Sequence, residues 1–183
     1  MQRYDRQIRV FGKQGQQTLK KLVVGIVGAG GIGSLVFVLL VRLGVGAIII
    51  IDPDIVEESN LNRLAVSTLE DARKKTLKVH MLKKYALKIN PAVKIIAIAK
   101  SILETGVQDV LKLCDVIFGC TDNTGTRWVL NSFSVRHLIP YFDTGTGIKA
   151  DSKLNIEHAG GQLRVVIPGM GCLNCIDGID ISR

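Results

Sequence analysis

Three glycines near the start of the chain are the residues best placed to do chemistry. Residues 23–52 read VVGIVGAGGIGSLVFVLLVRLGVGAIIIID, the pattern of a strand, a glycine-rich turn, a helix and a second strand that ends on an acid. Gly28, Gly30 and Gly33 are expected to supply a tight turn, a close backbone approach to a phosphate and close helix packing. Because the helix that follows directs free N–H groups at an anion, the stretch predicts a nucleotide-binding βαβ unit.

Asp52 bears on which nucleotide would bind. It ends the second strand, where a carboxylate can accept hydrogen bonds from both ribose hydroxyls, so it favours an adenosine over a bare phosphate. The alternative is a glycine-rich turn between a strand and a helix that binds nothing. The flanking strands and the terminal acid favour the nucleotide interpretation.

The loop after Asp52 carries a polar cluster. It reads DPDIVEESNLNRLAVST, and a loop of that length usually has a function. Arg63 can neutralise a phosphate with two hydrogen bonds. Asn60 and Asn62 can hold a phosphate or the loop itself, and the alternative is that they only supply turn geometry.

A second polar cluster, Cys120-Thr121-Asp122-Asn123, lies between a predicted strand and a predicted helix. Asp122 can be the N-cap of that helix, or it can be the carboxylate that a phosphate-bound Mg²⁺ requires. The chain has no GxxxxGK[ST] motif, so the phosphates need a lysine from elsewhere. The basic helix that begins near Arg73 is the nearest source.

These clusters need a scaffold that brings strand ends together. The strands and helices alternate, which predicts an α/β, Rossmann-like doubly wound, mostly parallel sheet with antiparallel C-terminal strands, and a ligand outside the carboxyl ends of the strands. We expect a loop over 53–68 and a basic helix over 73–88. The other expected helices are 4–19, 31–43, 107–113 and 126–137. The expected strands are 23–27, 47–51, 94–99, 115–119, 141–144, 155–159 and 162–167.

Length and composition limit the class of protein. The chain has 183 residues, which predicts one domain over 1–183, and 47% of them are hydrophobic. The longest apolar run, 32–41, is too short to cross a bilayer, and the charged N-terminus without a signal region predicts a cytoplasmic protein. The net charge is +8, much of it on the solvent face of the amphipathic helix 73–88. We therefore expect neither a nucleic-acid nor a membrane partner.

Taken together, the motifs closely resemble the ThiF/MoeB family of ubiquitin-activating-enzyme-like adenylyltransferases. The resemblance runs over nearly the whole chain, and the joint order of its motifs is highly specific. The motifs are R-Y-x-R-Q at 3–7, G-x-G-G-x-G at 28–33, D-x-D at 52–54, S-N-L-x-R at 59–63, a lysine-opened helix closing on I-N-P at 89–91, C-T-D-N at 120–123 and C-x-x-C at 172–175.

The resemblance implies a role for each matching residue. Asp52 would hold the ribose of ATP, Asp122 would bind Mg²⁺, and Lys78 is favoured over Lys75 as the phosphate lysine. Arg6 would reach across a homodimer into the partner's nucleotide site. The catalytic residues are expected to be Arg6, Arg63, Lys78 and Asp122. The cofactor-binding residues are expected to be Gly28, Gly30, Gly31, Gly33, Asp52, Asp54, Asn60, Arg63, Lys78, Asp122 and Asn123.

The resemblance also implies a reaction. The C-terminal Gly-Gly carboxylate of a ubiquitin-like β-grasp protein, of the ThiS/MoaD type, would attack the α-phosphorus of ATP and release pyrophosphate. Placing the two anions and neutralising the leaving pyrophosphate would dominate catalysis. The alternatives are an NAD-dependent oxidoreductase, and a catalytically idle module that binds a ubiquitin-like protein.

The four cysteines are expected to be reduced. Cys172 and Cys175 form a knuckle that suits half of a tetrahedral zinc site. Because the family completes that site with a second C-x-x-C further on, we expect the chain to lack the family's C-terminal part; the alternative is that the pair binds no metal. Cys114 and Cys120 are expected to be buried at strand ends and not to act as nucleophiles.

Overall fold

The computed structural model of the chain describes residues 3–152 and 155–176, apart from the side chains of residues 148 and 149. The described part forms a six-stranded sheet in the order β3-β2-β1-β4-β5-β6. The strands are β1 Val23–Val27, β2 Ala47–Ile51, β3 Lys94–Ile98, β4 Val116–Gly119, β5 Tyr141–Ala150 and β6 Ile156–Val166. The helices are α1 Asp5–Leu19, α2 Gly31–Leu43, α3 Leu69–Arg73, α4 Lys78–Ile89 and α5 Thr124–His137.

The predicted fold class is confirmed. Strands β1 to β5 pair in parallel, and β6 pairs with β5 in the antiparallel direction. The chain moves outward from β1 through β2 to β3, then returns to place β4 on the other side of β1. The order therefore reverses between β1 and β4, and in such sheets a ligand binds at that switch point.

Apolar side chains cover both faces of the sheet. On one face, Phe37 and Val41 of α2 and Leu82 of α4 pack against the strands. On the other face, Leu130 and Phe133 of α5 pack with the 3₁₀ helix Val107–Leu113. The continuous isoleucine run of β2 is almost fully buried, as expected for a parallel strand covered on both faces.

The expected basic helix over 73–88 is wrong in its extent. The segment divides into α3 and α4, because Lys75 takes a left-handed backbone conformation with a φ of 50°. A reciprocal capping box between Thr68 and Asp71 begins α3. Helix α4 then begins at Lys78, so Lys75 lies outside it.

Three further details differ from the sequence expectation. The strands expected at 155–159 and 162–167 are one strand, β6, whose Gly160 and Gly161 pair with Gly147 and Thr146 of a β5 that is longer than expected. The loop over 53–68 contains a 3₁₀ turn, Glu58–Asn60. Helix α5 begins two residues earlier than expected, at Thr124, because Asn123 caps it.

Candidate functional site

A cleft of about 1180 Å³ opens at the carboxyl ends of the strands, above the switch point between β1 and β4. Residues from well-separated segments line it. Of the residues predicted for the site, those lining the cleft are Gly28, Gly30, Gly31, Asp52, Asp54, Asn60, Arg63, Lys78, Asp122 and Asn123. Gly33, Arg6, Cys172 and Cys175 do not line it.

The surroundings of the three glycines differ, and they fit the tight turn predicted at Gly28 and the close packing predicted at Gly33. Gly28 has a φ of 94°, and a Cβ on it would lie 2.5 Å from the carbonyl oxygen of Cys120. A Cβ on Gly33 would lie 1.8 Å from the carbonyl oxygen of Gly28, so this position packs helix against turn. A Cβ on Gly30 would meet nothing within 4 Å, because Gly30 faces the open cleft.

Asp52 holds the glycine turn and the next loop together. One carboxylate oxygen accepts the Ala29 N–H at 2.6 Å and the other accepts the Asp54 N–H at 2.8 Å. Burial raises the pKa of the Asp52 carboxyl, while these two hydrogen bonds and the nearby Lys78 oppose the rise. Each oxygen retains a second acceptor position, which suits a ribose hydroxyl.

Lys78 reaches the cleft from the start of α4. Its Nζ lies 2.7 Å from Oδ2 of Asp54, and its backbone N–H donates to the Asp54 carbonyl at 2.9 Å. The side chain is 11% exposed. Lys75 is exposed and does not line the cleft, and Lys74 pairs with Glu70. Lys78 therefore lines the cleft with the glycine turn, whereas Lys74 and Lys75 do not.

Arg63 and Asn60 lie on the loop that crosses in front of the glycine turn. Nη1 of Arg63 donates to the Ser59 carbonyl at 2.8 Å and to Oδ1 of Asn62 at 3.1 Å. Asn60 makes contacts within the loop, where its Oδ1 accepts the Glu57 N–H at 3.3 Å. Arg63 also lies beside Gly31, since a Cβ there would be 3.6 Å from the Arg63 side chain.

Ser34 anchors this loop, a role that the sequence analysis missed. Its buried hydroxyl donates to the Gly31 carbonyl at 3.1 Å and accepts the Ala65 N–H at 2.9 Å. The loop is thereby tied to the first turn of α2. The sequence hint for this role was the hydroxyl of Ser34 among the mostly apolar residues of α2.

The N-cap hypothesis for Asp122 is wrong. Asn123 is the cap, because its Oδ1 accepts the Thr126 N–H at 3.0 Å. Asp122 precedes the cap and is exposed in the cleft. An exposed carboxylate beside a phosphate turn suits Mg²⁺, which takes few protein ligands and keeps water and phosphate oxygens.

A second cleft of about 540 Å³ adjoins the first and shares Thr121, Asp122, Gly145 and Thr146 with it. Glycines line much of this space, from both β5 and β6. The full lining is Thr121, Asp122, Arg127, Gly145, Thr146, Gly147, His158, Gly160, Gly161 and Gln162.

A buried polar network beside this second cleft also escaped the sequence analysis. Arg127 of α5 forms a bidentate ion pair with Asp143 of β5, with Nε 2.9 Å from Oδ1. The Tyr141 hydroxyl donates to the same Oδ1 at 2.7 Å. Burial of the Tyr141 hydroxyl, together with the negative charge of the fully buried Asp143, raises the pKa of Tyr141.

Arg6 lies at the opposite end of the molecule from its own cleft. Its neighbours Tyr4 and Gln7 bind Asn90 and the Leu43 carbonyl, which end α4 and α2. Both helices begin at the cleft, and α4 alone is about 18 Å long at 1.5 Å per residue. Arg6 is exposed on α1 and belongs to no wall of that cleft.

The cysteines divide into two kinds. Cys172 and Cys175 approach with their Sγ atoms 3.6 Å apart, and hydrogen bonds from the backbone of Cys175 lower the pKa of Cys172 to about 7. Burial raises the pKa of Cys120 to about 11 and that of Cys114 to about 12, which disfavours the reactive thiolate. These values are in keeping with the prediction that Cys114 and Cys120 are not nucleophiles.

Among residues 3–152 and 155–176, no three His, Cys, Asp or Glu side chains come together as a metal cluster. Cys172 and Cys175 would be two of the four ligands that a structural zinc site needs, and the described residues alone do not complete such a site. In the same part of the chain, no helix has the length and apolar character needed to cross a membrane.

The fold and the cleft define a Rossmann-like nucleotide-binding protein. The chain belongs to the ThiF family, which it matches over residues 4–182. This confirms the family that the motifs predicted.

Named relatives agree with this assignment. The chain is 34% identical over 185 residues to adenylyltransferase and sulfurtransferase MOCS3 of Drosophila willistoni, and 36% identical over 165 residues to UBA4 of Debaryomyces hansenii. These alignments cover 96% and 87% of this chain, but only 40% and 36% of the relatives. The structure of E. coli MccB with ATP matches with a TM-score of 0.78 and 27% identity, over 100% of this chain and 54% of MccB.

Proposed function

We propose that this protein is an ATP-dependent adenylyltransferase that activates the C-terminal carboxylate of a ubiquitin-like β-grasp protein. One observation carries the proposal. A single cleft brings together Gly30, Asp52, Arg63, Lys78 and Asp122, which stand far apart in the sequence. The names of MOCS3 and UBA4, and the structure of MccB with ATP, support nucleotide chemistry of this type in the same family.

The nucleotide would bind with its ribose at Asp52 and its phosphates over the glycine turn. The N-terminus of α2 and the open backbone at Gly30 favour an anion there. Arg63 and Lys78 reach the cleft from different segments, Arg63 from the loop after β2 and Lys78 from α4. They would neutralise the charge that passes to pyrophosphate as the substrate carboxylate attacks the α-phosphorus.

Mg²⁺ fits the donor set at Asp122. A single exposed carboxylate beside the phosphates suits an ion that arrives with the nucleotide, rather than one held in a protein cage. When bound, the ion would draw negative charge from the phosphate oxygens. Asn123, by capping α5, fixes the backbone that presents Asp122 to the cleft.

The second cleft supports a substrate that ends in Gly-Gly. It opens into the first cleft at Thr121 and Asp122, and glycines from both strands of the β5–β6 ribbon line it. A chain terminus without side chains suits such a space. A ThiS/MoaD-type partner would place its last residues here and direct the terminal carboxylate at the α-phosphorus.

A homodimer completes the proposal. Arg6 lies too far from its own cleft to contact a nucleotide bound there, so a role in catalysis requires a second copy. Leu163 and Val165 of β6 are 63% and 41% exposed, and they lie on the face of the strand opposite the buried Val166. Leu35 and Leu39 of α2 are also exposed on that side of the sheet. These apolar residues give the second copy a surface to cover.

The predicted zinc site stays untested. A zinc site needs ligands beyond Cys172 and Cys175, from outside the described residues or from another chain. The cytoplasmic location also stays a prediction.

Pyrophosphate exchange tests the function. We expect label from pyrophosphate to enter ATP only when a ubiquitin-like protein ending in Gly-Gly is present, and not when its last glycine is removed. Calorimetric titration with ATP–Mg²⁺ and with NAD supplies the second measurement. Binding of ATP without exchange would leave a catalytically idle module. Tight binding of NAD, with no heat from ATP, would favour the oxidoreductase and overturn the proposal.

A further inference from the structure

One buried hydroxyl at the candidate site has no partner. The side-chain oxygen of Thr121 is shielded from solvent, and within residues 3–152 and 155–176 it makes no hydrogen bond. Burying a hydroxyl without a partner costs free energy, so most buried polar atoms in proteins are hydrogen-bonded. Exceptions occur at catalytic and binding sites, where a ligand can supply the missing partner.

Thr121 lies at the junction of the two clefts. It follows β4 by two residues and lines both cavities, as do Asp122, Gly145 and Thr146. Its methyl group faces the glycine turn, since a Cβ on Gly28 would lie 3.0 Å from Cγ2 of Thr121. The side chain therefore stands between the space proposed for the phosphates and the space proposed for the end of the substrate chain.

The junction lacks a cation among the described residues. Of the four residues that both clefts share, one is the anion Asp122, one is a glycine, and Thr121 and Thr146 carry hydroxyls. A substrate carboxylate that enters the junction therefore finds hydroxyls as its side-chain hydrogen-bond donors. The lysines and arginines of the described lining each line one cleft only: Arg63, Lys78 and Lys100 the first, and Arg127 the second.

A neutral donor suits a carboxylate that must act as a nucleophile. An ion pair with a lysine or an arginine would hold the carboxylate tightly, but it would also draw charge from the attacking oxygen. A hydroxyl donates one hydrogen bond and leaves the carboxylate charged. Thr146 is exposed, so water can serve its hydroxyl, whereas the covered hydroxyl of Thr121 has no such partner in the described part of the chain.

A change of rotamer brings the Thr121 hydroxyl to the junction. Threonine side chains occupy staggered positions about the Cα–Cβ bond, and a turn of about 120° exchanges the places of the groups on Cβ. One such turn puts the hydroxyl where the methyl group now faces the glycine turn. A hydrogen bond to a ligand there would favour the turn, because the covered position offers the hydroxyl no bond within the described residues.

We propose that Thr121 is a substrate-contacting residue, whose hydroxyl donates a hydrogen bond to the terminal carboxylate of the ubiquitin-like partner. This role rests on the proposed function, which brings that carboxylate to the junction. The hydroxyl binds the oxygen that does not attack. The other oxygen forms the bond to the α-phosphorus as the bond to pyrophosphate breaks, so the bound oxygen becomes the carbonyl oxygen of the acyl-adenylate and the contact is kept.

Two probes that differ only in the acyl group test this contact. Sulfamoyladenosine carries the nucleoside end alone, and its N-glycylglycyl derivative is a stable mimic of the acyl-adenylate. Calorimetry on the full chain should show that the wild type binds the derivative more tightly. We expect Thr121→Val to weaken binding of the derivative roughly tenfold, as for the loss of one hydrogen bond, and to leave sulfamoyladenosine unchanged. Thr121→Ser keeps the hydroxyl and should bind both probes like the wild type.

Thermal unfolding without a probe separates this role from a structural one. Thr121→Val replaces a hydroxyl that has no partner by a methyl group of similar size, so it should raise the Tm by about 2 to 4 °C. Thr144→Val is the matched control. The Thr144 hydroxyl donates to the Gly119 carbonyl at 2.9 Å, and its loss should lower the Tm. If the Tm of Thr121→Val falls as well, the hydroxyl is bonded in the free protein and the inference is overturned.

Failure of this role and failure of the proposed function give different results. If the wild type binds the derivative no more tightly than sulfamoyladenosine, the proposed function is wrong and the role of Thr121 falls with it. If the wild type prefers the derivative and Thr121→Val keeps that preference in full, the role fails and the proposed function stands. Equal weakening of both probes in Thr121→Val also overturns the role, because the hydroxyl would then serve the nucleotide. Should Thr121→Val not fold, Thr121→Ala removes the same hydroxyl and its results decide in the same way.

Discussion

Lys78 and Asp54 are joined twice, through an ion pair of 2.7 Å between their side chains and a hydrogen bond between their backbones. The two contacts tie the first turn of α4 to the loop that follows β2. The lysine is thereby held in the lining of the cleft. The pair fixes where a cation would stand beside the phosphates of the proposed nucleotide.

We expect Lys78→Ala to lower adenylation by roughly a hundredfold to a thousandfold, the cost of removing one positioned charge-stabilising group. Its effect on stability should be below about 1 kcal/mol, because Asp54 is largely exposed to solvent. Lys75→Ala is the matched control, since Lys75 lies outside the cleft. Adenylation is measured by pyrophosphate exchange. If the two variants lose this activity equally, Lys78 has no special role at the phosphates.

Gly33→Ala and Gly30→Ala should fail in different ways. A methyl group at Gly33 would collide with the Gly28 carbonyl, and overpacking of this kind costs about 1 to 3 kcal/mol or more. A methyl group at Gly30 meets nothing in the protein, and its φ of −77° suits alanine. Thermal unfolding should therefore detect only Gly33→Ala. Gly30→Ala should fold normally, and ATP titration should show that it binds the nucleotide poorly. Normal ATP affinity in this variant would place the phosphates elsewhere.

Arg6→Ala and Asp122→Ala should each abolish adenylation, and a mixture of the two should recover part of it. A symmetric dimer of one chain of each kind has one intact site, with Asp122 from one subunit and Arg6 from its partner. Adenylation after mixing is the measurement, with subunit exchange verified by native mass spectrometry. Mixed dimers without activity would show that Arg6 does not act across the interface.

Alkylation should select Cys172. Its pKa of about 7 lies below the ordinary thiol value of 9.0, so half of it is thiolate near neutral pH, and its labelling rate should rise through pH 7 and level off above pH 8. Cys120 and Cys114, with pKa values of about 11 and 12, should stay unlabelled until the protein unfolds. Mass spectrometry of iodoacetamide-treated protein measures this. A rate that rises only above pH 9, or early labelling of Cys120, would contradict it.

The order of the elements and most of the cleft could be predicted because their signals are local. Apolar runs of about five residues next to glycine turns indicate parallel strands, and the acid that ends β2 falls at a strand end by sequence position alone. Boundaries were less secure. The periodicity of the lysine-rich stretch predicted one helix, yet a left-handed turn at Lys75 divides it, and the Thr76 carbonyl that follows accepts the N–H of the distant Val56.

Gly160 and Gly161 show how a local signal fails. Two adjacent glycines usually mark a turn, so two strands were expected. In the structure they continue β6, because Gly147 and Thr146 on β5 hold them in register. Pairing with a strand more than ten residues away outweighed the local preference.

By itself the sequence determined the nucleotide turn, the acid at Asp52, the polar loop and the Cys120–Asn123 cluster, since each depends on residues a few positions apart. Only the tertiary structure decided that Lys78 faces the cleft, that Asn123 and not Asp122 caps α5, and that Arg127 turns to Asp143. The physical reason is that these contacts join residues that only the packing of the elements brings together. Arg127 and Asp143 meet because α5 docks on β5, and a chain with many arginines and aspartates carries no local mark of which two will be buried together.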